Sequence, residues 1–247
     1  MKLNIAQNEQ KISQLVADEI ENLIKRKPDA VLGLATGSTP IPVYQELIRR
    51  HQAGRIDFSQ VRTFNLDEYY GLDRSHDQSY YQFMQTHLFS HINIQEDNIH
   101  IPSGQPADVE AYCREYEAEM ERAGGVDLQL LGIGHNGHIG FNEPAKELHP
   151  GTHLVRLKPT TIEANARFFT SIEQVPTQAI TMGMQNILKA KRILLLATGR
   201  DKAEIIHKLI HTGITTDIPA SFLKLHDNVG IFVDEEAGSL VASCATS

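Results

Sequence analysis

The chain has 247 residues, with 23 Lys and Arg against 31 Asp and Glu, for a formal net charge of −8. That balance, with no Trp and no Lys/Arg cluster, excludes a broadly basic nucleic-acid binder, which holds its polymer by neutralising phosphates and stacking bases. The longest aliphatic run is residues 193–197 and the N-terminus has no apolar leader, so neither a membrane span nor export is indicated; two cysteines, Cys113 and Cys244, cannot build a disulfide framework and fit a reduced, cytoplasmic setting.

Residues 30–35 are apolar and predict a buried strand. They lead into Thr36, Gly37, Ser38, Thr39 and Pro40, the makings of a phosphate cradle: glycine lets backbone approach an anion, hydroxyls donate, and the N–H groups of a helix starting near Pro40 attract negative charge. The alternative is that Ser38 or Thr39 merely caps that helix, whose apolar face carries Tyr44, Leu47 and Ile48. A second strand at 61–66 ends on Asp67 and Glu68. A partly desolvated carboxylate at a sheet rim has its pKa raised toward a general-base role, and position alone does not choose between these two. Helical spacing continues at Tyr80, Phe83, Met84, His87 and Leu88, then at Val109, Tyr112, Cys113, Tyr116 and Met120.

A third strand, 128–133, opens a glycine-rich segment that literally contains Gly-x-Gly-x-x-Gly at Gly132, Gly134 and Gly137. Residues 138–144 reject a dinucleotide reading: they are too rich in Gly and Pro for a long helix, and no acidic residue stands about 20 positions on. Backbone packed around a small ligand fits better, with His138 and Glu143 as proton-transfer partners and Asn136 able to orient either. His135, His138, His149 and His153 raise a metal alternative, but a glycine-rich loop does not hold two imidazoles on one rigid face as a zinc-binding helix does. Ordinary loop hydrogen bonds are the other alternative. After a strand at 153–157, the polar, proline-interrupted stretch 158–177 reads as a lid and carries Arg167. The strand at 193–197 runs into Thr198, Gly199 and Lys202, echoing the Ala-Thr-Gly of the first loop, so that two such loops could face one pocket at the carboxyl edge of a sheet. A last strand lies at 229–233. The β-α alternation predicts a single α/β domain over 1–247: three layers, with a mostly parallel, Rossmann-like open sheet flanked by helices.

Taken together, residues 34–40, 63–69, 132–144 and 164–168 resemble, in order and spacing, the glucosamine-6-phosphate deaminase (isomerase/deaminase) family; the stretch from Asn136 to Pro144 is the most specific. The resemblance implies conversion of glucosamine 6-phosphate and water to fructose 6-phosphate and ammonia, without metal or organic cofactor. It implies Asp67 as the base that moves the C2 proton to C1, His138 as the group exchanging a proton with the ring oxygen, and Glu143 as the residue that orients and charges it. The phosphate would rest on Thr36, Gly37, Ser38, Thr39, Arg167 and Lys202. Asn136 departs from larger, allosteric members, which carry Asp there. Asn holds an imidazole tautomer but brings no full charge, so Glu143 is expected to carry most of the imidazolium's stabilisation. Where those members bind their activator through basic residues, this chain has His153 and Val155; weak or absent activation and a monomer or small homo-oligomer are expected. The rivals are a 6-phosphogluconolactonase of similar fold, against which Asn142-Glu143-Pro144 and Leu66-Asp67-Glu68-Tyr69 speak, and a non-catalytic sugar-phosphate sensor, against which speak Asp67, His138 and Glu143 together and the want of a segment long enough for a DNA-binding or partner module.

Overall fold

The computed structural model of the protein describes residues 1–242; Cys244 lies outside them. β1 (Lys2–Ala6) precedes α1 (Glu9–Arg26), whose first turn is set by the Asn8 side chain accepting the Lys11 N–H at 2.9 Å. Next come β2 (Val31–Leu34), α2 (Ile41–Gln52), β3 (Arg62–Asn65), β4 (Asp67–Tyr69), α3 (Tyr80–His87), β5 (Ile99–His100), α4 (Val109–Arg122) and β6 (Leu128–Leu131). The second half adds β7 (His153–Arg156), α5 (Pro159–Asn165), β8 (Gln178–Thr181), α6 (Met184–Leu188), β9 (Ile193–Ala197), α7 (Ala203–His211), β10 (Val229–Asp234) and α8 (Ser239–Ala242).

Among the described residues, seven strands form one open parallel sheet in the order β1-β10-β9-β6-β2-β3-β5. Strand pleating sends alternate side chains to opposite faces. Ile193 and Leu195 pack with Tyr116, Ile187 and Ile206 of α4, α6 and α7, while Leu194 and Leu196 pack with Val16 and Leu47 of α1 and α2. These are the expected three layers. From β2 the chain moves outward through β3 to β5, whereas from β6 it moves the other way through β9 to β10. The connections leaving β2 and β6 therefore diverge at neighbouring carboxyl ends, where an open α/β sheet forms its ligand crevice.

One strand departs from the expected sheet. The run at 153–157 forms β7, which belongs with β4 and β8 to a separate antiparallel sheet in the order β4-β8-β7. His153, Leu154 and Val155 are only half-buried; a strand in the two-faced parallel sheet would be fully buried, and one in a small antiparallel sheet need not be. Cys113 is buried on α4, and burial pushes its thiol up to about 11, which makes it unreactive. No helix among the described residues is long and apolar enough to cross a membrane.

α1 and α2 are joined by a buried ion-pair network. Glu21 accepts from Arg50 at 2.8 Å and from Arg55 at 2.7 Å, and the Glu21 and Arg50 side chains are 4% and 3% exposed. Arg50 also pairs with Asp18 and Glu46, each at 2.7 Å, so Glu21→Ala leaves it partly compensated and is expected to lower stability by about 1–2 kcal/mol, read as a fall in the urea midpoint with m unchanged.

Candidate active site

The loops leaving β2 and β9 face one cavity of about 350 Å³. Ser38 and Thr39 line it from the first loop, Thr198 and Lys202 from the second, and Arg167 from the short helical turn after α5. The capping alternative for the first loop fails, because the N-cap of α2 is Pro40 and no side chain closes that end. Gly37 turns the loop with φ +98°, a conformation glycine favours. Thr36 is half-buried beside it, and neither Thr36 nor Gly37 is among the residues lining the cavity. Burial lowers the pKa of Lys202, with Asp201 opposing the shift. Asp201, Glu9 and His135 also reach the cavity, and sequence reasoning did not place them there.

The two carboxylates after β3 separate by role. Glu68 accepts the backbone N–H groups of Tyr80 at 2.9 Å and Tyr81 at 3.0 Å, so it serves the N-terminus of α3, where amides have no intrahelical partner. Asp67 is the preceding residue of the strand and faces the other way. It is 6% exposed, and burial, reinforced by the Glu68 charge, pushes its carboxyl up to about 8.

The glycine-rich loop folds against Asp67 through backbone and amide bonds. The Gly134 N–H donates to the His138 carbonyl at 2.9 Å, and a Cβ on Gly134 would lie 2.1 Å from His138 Cε1, so the ring occupies the space a side chain would need. Asn142 donates to the carbonyls of Ile139 at 3.0 Å and Met182 at 2.8 Å, and the Phe141 N–H reaches Thr181 Oγ1 at 3.2 Å. Thr181 is the direct cross-strand partner of Asp67. The loop backbone at Gly140 thus runs past the carboxylate, with its Cβ direction 3.5 Å from Asp67 Oδ2.

His138, Asn136 and Glu143 are joined both directly and through a relay. His138 Nδ1 lies 2.7 Å from Asn136 Oδ1, Asn136 Nδ2 donates to Glu143 Oε2 at 2.6 Å, and His138 Nδ1 is 3.4 Å from Glu143 Oε1. Burial opposes ionisation of Glu143, but the His138, Asn136 and Thr161 contacts outweigh it and hold the carboxyl down at about 2. An ionised carboxylate only accepts, which assigns the Asn136 NH₂ to Glu143 and its oxygen to the ring. That oxygen in turn requires the proton on Nδ1, leaving Nε2 of the neutral ring as a base. Glu143 thus meets the imidazole both directly and through Asn136.

Two further residues, both from the expected lid, reach Glu143. Thr161 Oγ1 donates to Glu143 Oε1 at 2.9 Å, and Lys158 Nζ donates to the Pro144 carbonyl at 2.8 Å while standing 4.0 Å from Glu143 Oε2. Tyr69, Phe141, Leu157 and Ala179 form a small buried cluster with Tyr80 and Phe169 packed against it. The remaining histidines go elsewhere. His149 and His153 stack at 4.3 Å and share the Gly151 carbonyl, while His135 faces Asp201. No group of three or more metal-ligating side chains converges among the described residues.

A carboxyl whose pKa rises on folding adds stability below the ordinary carboxylate range and loses it as pH climbs through about 8. Asp67→Asn should thus melt about 2–4 °C above the parent at alkaline pH, for a gain on the order of 1 kcal/mol, with the gap closing on acidification. Thr161→Val removes a hydrogen bond to a charged acceptor and is expected to lower kcat about tenfold with little change in KM, and Thr161→Ser to restore it, measured by steady-state kinetics.

Residues 4–231 match the family described as glucosamine-6-phosphate isomerases/6-phosphogluconolactonase. The glucosamine-6-phosphate deaminase of Thermoanaerobacter sp. (strain X514) is 54% identical over 241 residues, 98% of this chain and 95% of that protein. That of Clostridium perfringens (strain 13 / Type A) is 52% identical over 241 residues, 98% and 100% of the two chains. A solved structure of a monomeric glucosamine-6-phosphate deaminase superposes with a TM-score of 0.94 at 48% identity, covering 97% of this chain and 100% of that one. The 6-phosphogluconolactonase of Thermotoga maritima shares the fold, with a TM-score of 0.74 at 21% identity over 94% and 98% of the chains. By sequence along nearly its whole length, and by the fold that builds this crevice, the chain belongs to the glucosamine-6-phosphate isomerase/6-phosphogluconolactonase family.

Proposed function

We propose that this chain is a glucosamine-6-phosphate deaminase, which converts glucosamine 6-phosphate and water to fructose 6-phosphate and ammonia. The carrying observation is the placement of a buried, proton-retaining carboxylate, Asp67, against the loop that holds the His138-Asn136-Glu143 relay. An anion pocket opens from the same edge of the sheet. The near full-length identity to curated deaminases supports the same reading.

Ser38, Thr39, Arg167 and Lys202 hold the phosphate, with Thr36 and Gly37 shaping the loop, so that binding energy at the far end of the sugar positions its reacting carbons. His138 Nε2 takes the C1 hydroxyl proton and returns a proton to the ring oxygen, opening the ring to the aldehyde. Ionised Asp67 then removes the C2 proton. The C–H electrons form the C1–C2 double bond of an enolamine as the carbonyl oxygen takes a proton from solvent, which is given back when water displaces the nitrogen. The same carboxyl delivers the proton to C1, nitrogen's lone pair forms a C–N double bond at C2, and water displaces ammonia to leave the ketone. Asn136 holds the imidazole tautomer, and Glu143 stabilises its charged form.

The lactonase rival rests on relatives at 21% identity and below, whose likeness speaks for the fold alone. A non-catalytic sensor leaves the raised Asp67 carboxyl without a purpose, since anion capture does not call for it. The monomeric state of the solved deaminase supports a monomer or small homo-oligomer for this chain. A cytoplasmic site of action fits a phosphorylated sugar, whose charge keeps it inside cells, and the buried, unreactive Cys113 thiol. The stretch 158–177 acts as a lid, supported by its contacts to Glu143 at one end and the anion cavity at the other.

The test is to mix the purified protein with glucosamine 6-phosphate and measure ammonia and fructose 6-phosphate in parallel with Asp67→Asn. Equal amounts of both products from the parent and a loss of at least about 10³-fold in the variant are expected; no ammonia from the parent, or full activity in the variant, overturns the proposal. Because the base works only when ionised and its carboxyl sits at about 8, kcat/KM of the parent should fall as the pH drops from alkaline through neutral.

A further inference from the structure

We propose that His135 is an additional ligand of the substrate's phosphate group, carrying a positive charge to it and exchanging the Asp201 carboxylate for the bound anion. This rests on the anion pocket of the proposed function and adds a ligand to it.

His135 lies in the tight turn that also carries His138, yet it faces the other end of the site. Its ring borders the same cavity as Ser38, Thr39, Arg167 and Lys202, and its Nε2 is 3.3 Å from Asp201 Oδ2. The two side chains are 67% and 59% exposed, so solvent reaches the pair and the imidazole can swing without disturbing packed neighbours. The turn itself is held by backbone bonds, from the Gly134 N–H to the His138 carbonyl and from the Gly137 N–H to the Gly134 carbonyl. Movement of the His135 ring therefore leaves His138 in place.

Charge shows why the pocket has use for this ring. Among the described residues, the charged groups lining the cavity with it are Arg167 and Lys202 on the positive side and Asp201 and Glu9 on the negative, Glu9 accepting from Thr198 Oγ1 at 3.2 Å. Two cations are thus offset by two carboxylates before any anion arrives. A phosphate monoester brings up to two further negative charges, and imidazolium is the one side chain whose ordinary titration lets it supply charge in the neutral range. The Asp201 carboxylate holds the His135 ring at the cavity mouth, and a phosphate oxygen replaces it as the acceptor on binding. In this arrangement the ion pair is a waiting position, and opening it turns the ring's N–H from Asp201 to the bound anion.

Sulfate is the probe, because it keeps two negative charges across the pH range in which histidine titrates, whereas phosphate does not. Its affinity is measured by isothermal titration calorimetry at about pH 6 and about pH 8, on the parent and on His135→Gln, Asp201→Asn and Lys202→Gln. Parent affinity is expected to be about fivefold tighter at the lower pH, the scale of one solvent-exposed charge contact. His135→Gln should lose that difference, and Asp201→Asn should bind more tightly than the parent at the higher pH, since a like charge has gone. Lys202→Gln should abolish binding, which places the ion in this cavity. A His135→Gln variant that keeps the parent's pH dependence, an Asp201→Asn variant that binds no better, or sulfate binding insensitive to Lys202→Gln would each overturn the proposal. Turnover of glucosamine 6-phosphate is judged separately, so loss of the His135 role leaves the deaminase reading standing, and absence of ammonia defeats that reading whatever sulfate does.

Discussion

The Asn142 side chain ties two sheets together where the proposed chemistry lies. Its amide bridges the carbonyls of Ile139 and Met182, and the Met182 N–H in turn donates to the Leu66 carbonyl at 2.7 Å, just before Asp67. The relay residues come after β6 of the parallel sheet, whereas Asp67 begins a strand of the antiparallel one. These buried bonds, with the Phe141 N–H on Thr181 Oγ1 and the packing of Phe141 on Tyr69, bring the two sets together. Asn142 is 4% exposed, and an amide in that setting loses the full desolvation cost of its partners if it is removed. Positions of His138, Glu143 and Asp67 relative to one another thus depend on a residue that does no chemistry.

The large parallel sheet was legible in the sequence because its buried strands are mostly written as apolar runs. β2 and β9 lie within such runs and β10 does up to its final Asp234, whereas β3 carries Arg62, Thr63 and Asn65 and β6 carries Gln129 among leucines. β1 and β8 mix polar with apolar residues, and β4 and β5 are only three and two residues long, so each is defined by its partners more than by its own pattern. The membership of β7 was hidden for the same reason. At the site, the Asn-Gly-His-Ile-Gly-Phe-Asn-Glu-Pro string carried its own meaning, but Asp67 and Glu68 could not be told apart locally. What separates them is the start of α3, 12 residues beyond Glu68, folding back to use one of them. Thr161 was invisible because its partner depends on how a polar segment docks. Thr198 had a signal in the repeated Ala-Thr-Gly, whereas Glu9 and Asp201 run against the expectation that an anion pocket excludes acids.

Environment also sets two carboxyls of the same region far apart. Asp67 is desolvated beside another acid and rises to about 8, while Glu143 is surrounded by donors and falls to about 2. One is poised to accept and return a proton, and the other stays charged throughout, a division that identical functional groups reach only through their surroundings. The protein's net charge of −8 has no part in this. In the proposed function, attraction of an anionic sugar is a local matter for a few cations and loop hydroxyls, and salt should weaken it less than it would weaken long-range steering.

The segment around α5 carries Thr161, bonded to Glu143, and, six residues on, Arg167 at the anion cavity. At the rise of α and 3₁₀ helices, that interval spans about 9–12 Å. Under the proposed function, a span of this length would work as a gauge. A sugar phosphate held by its phosphate at Arg167 would present to the acid-base residues whichever carbons lie one span away. A chain shorter by one or two carbons would satisfy the anion pocket and still leave its carbonyl end short of His138 and Asp67. Selection by length would therefore arise without any side chain that rejects the wrong sugar.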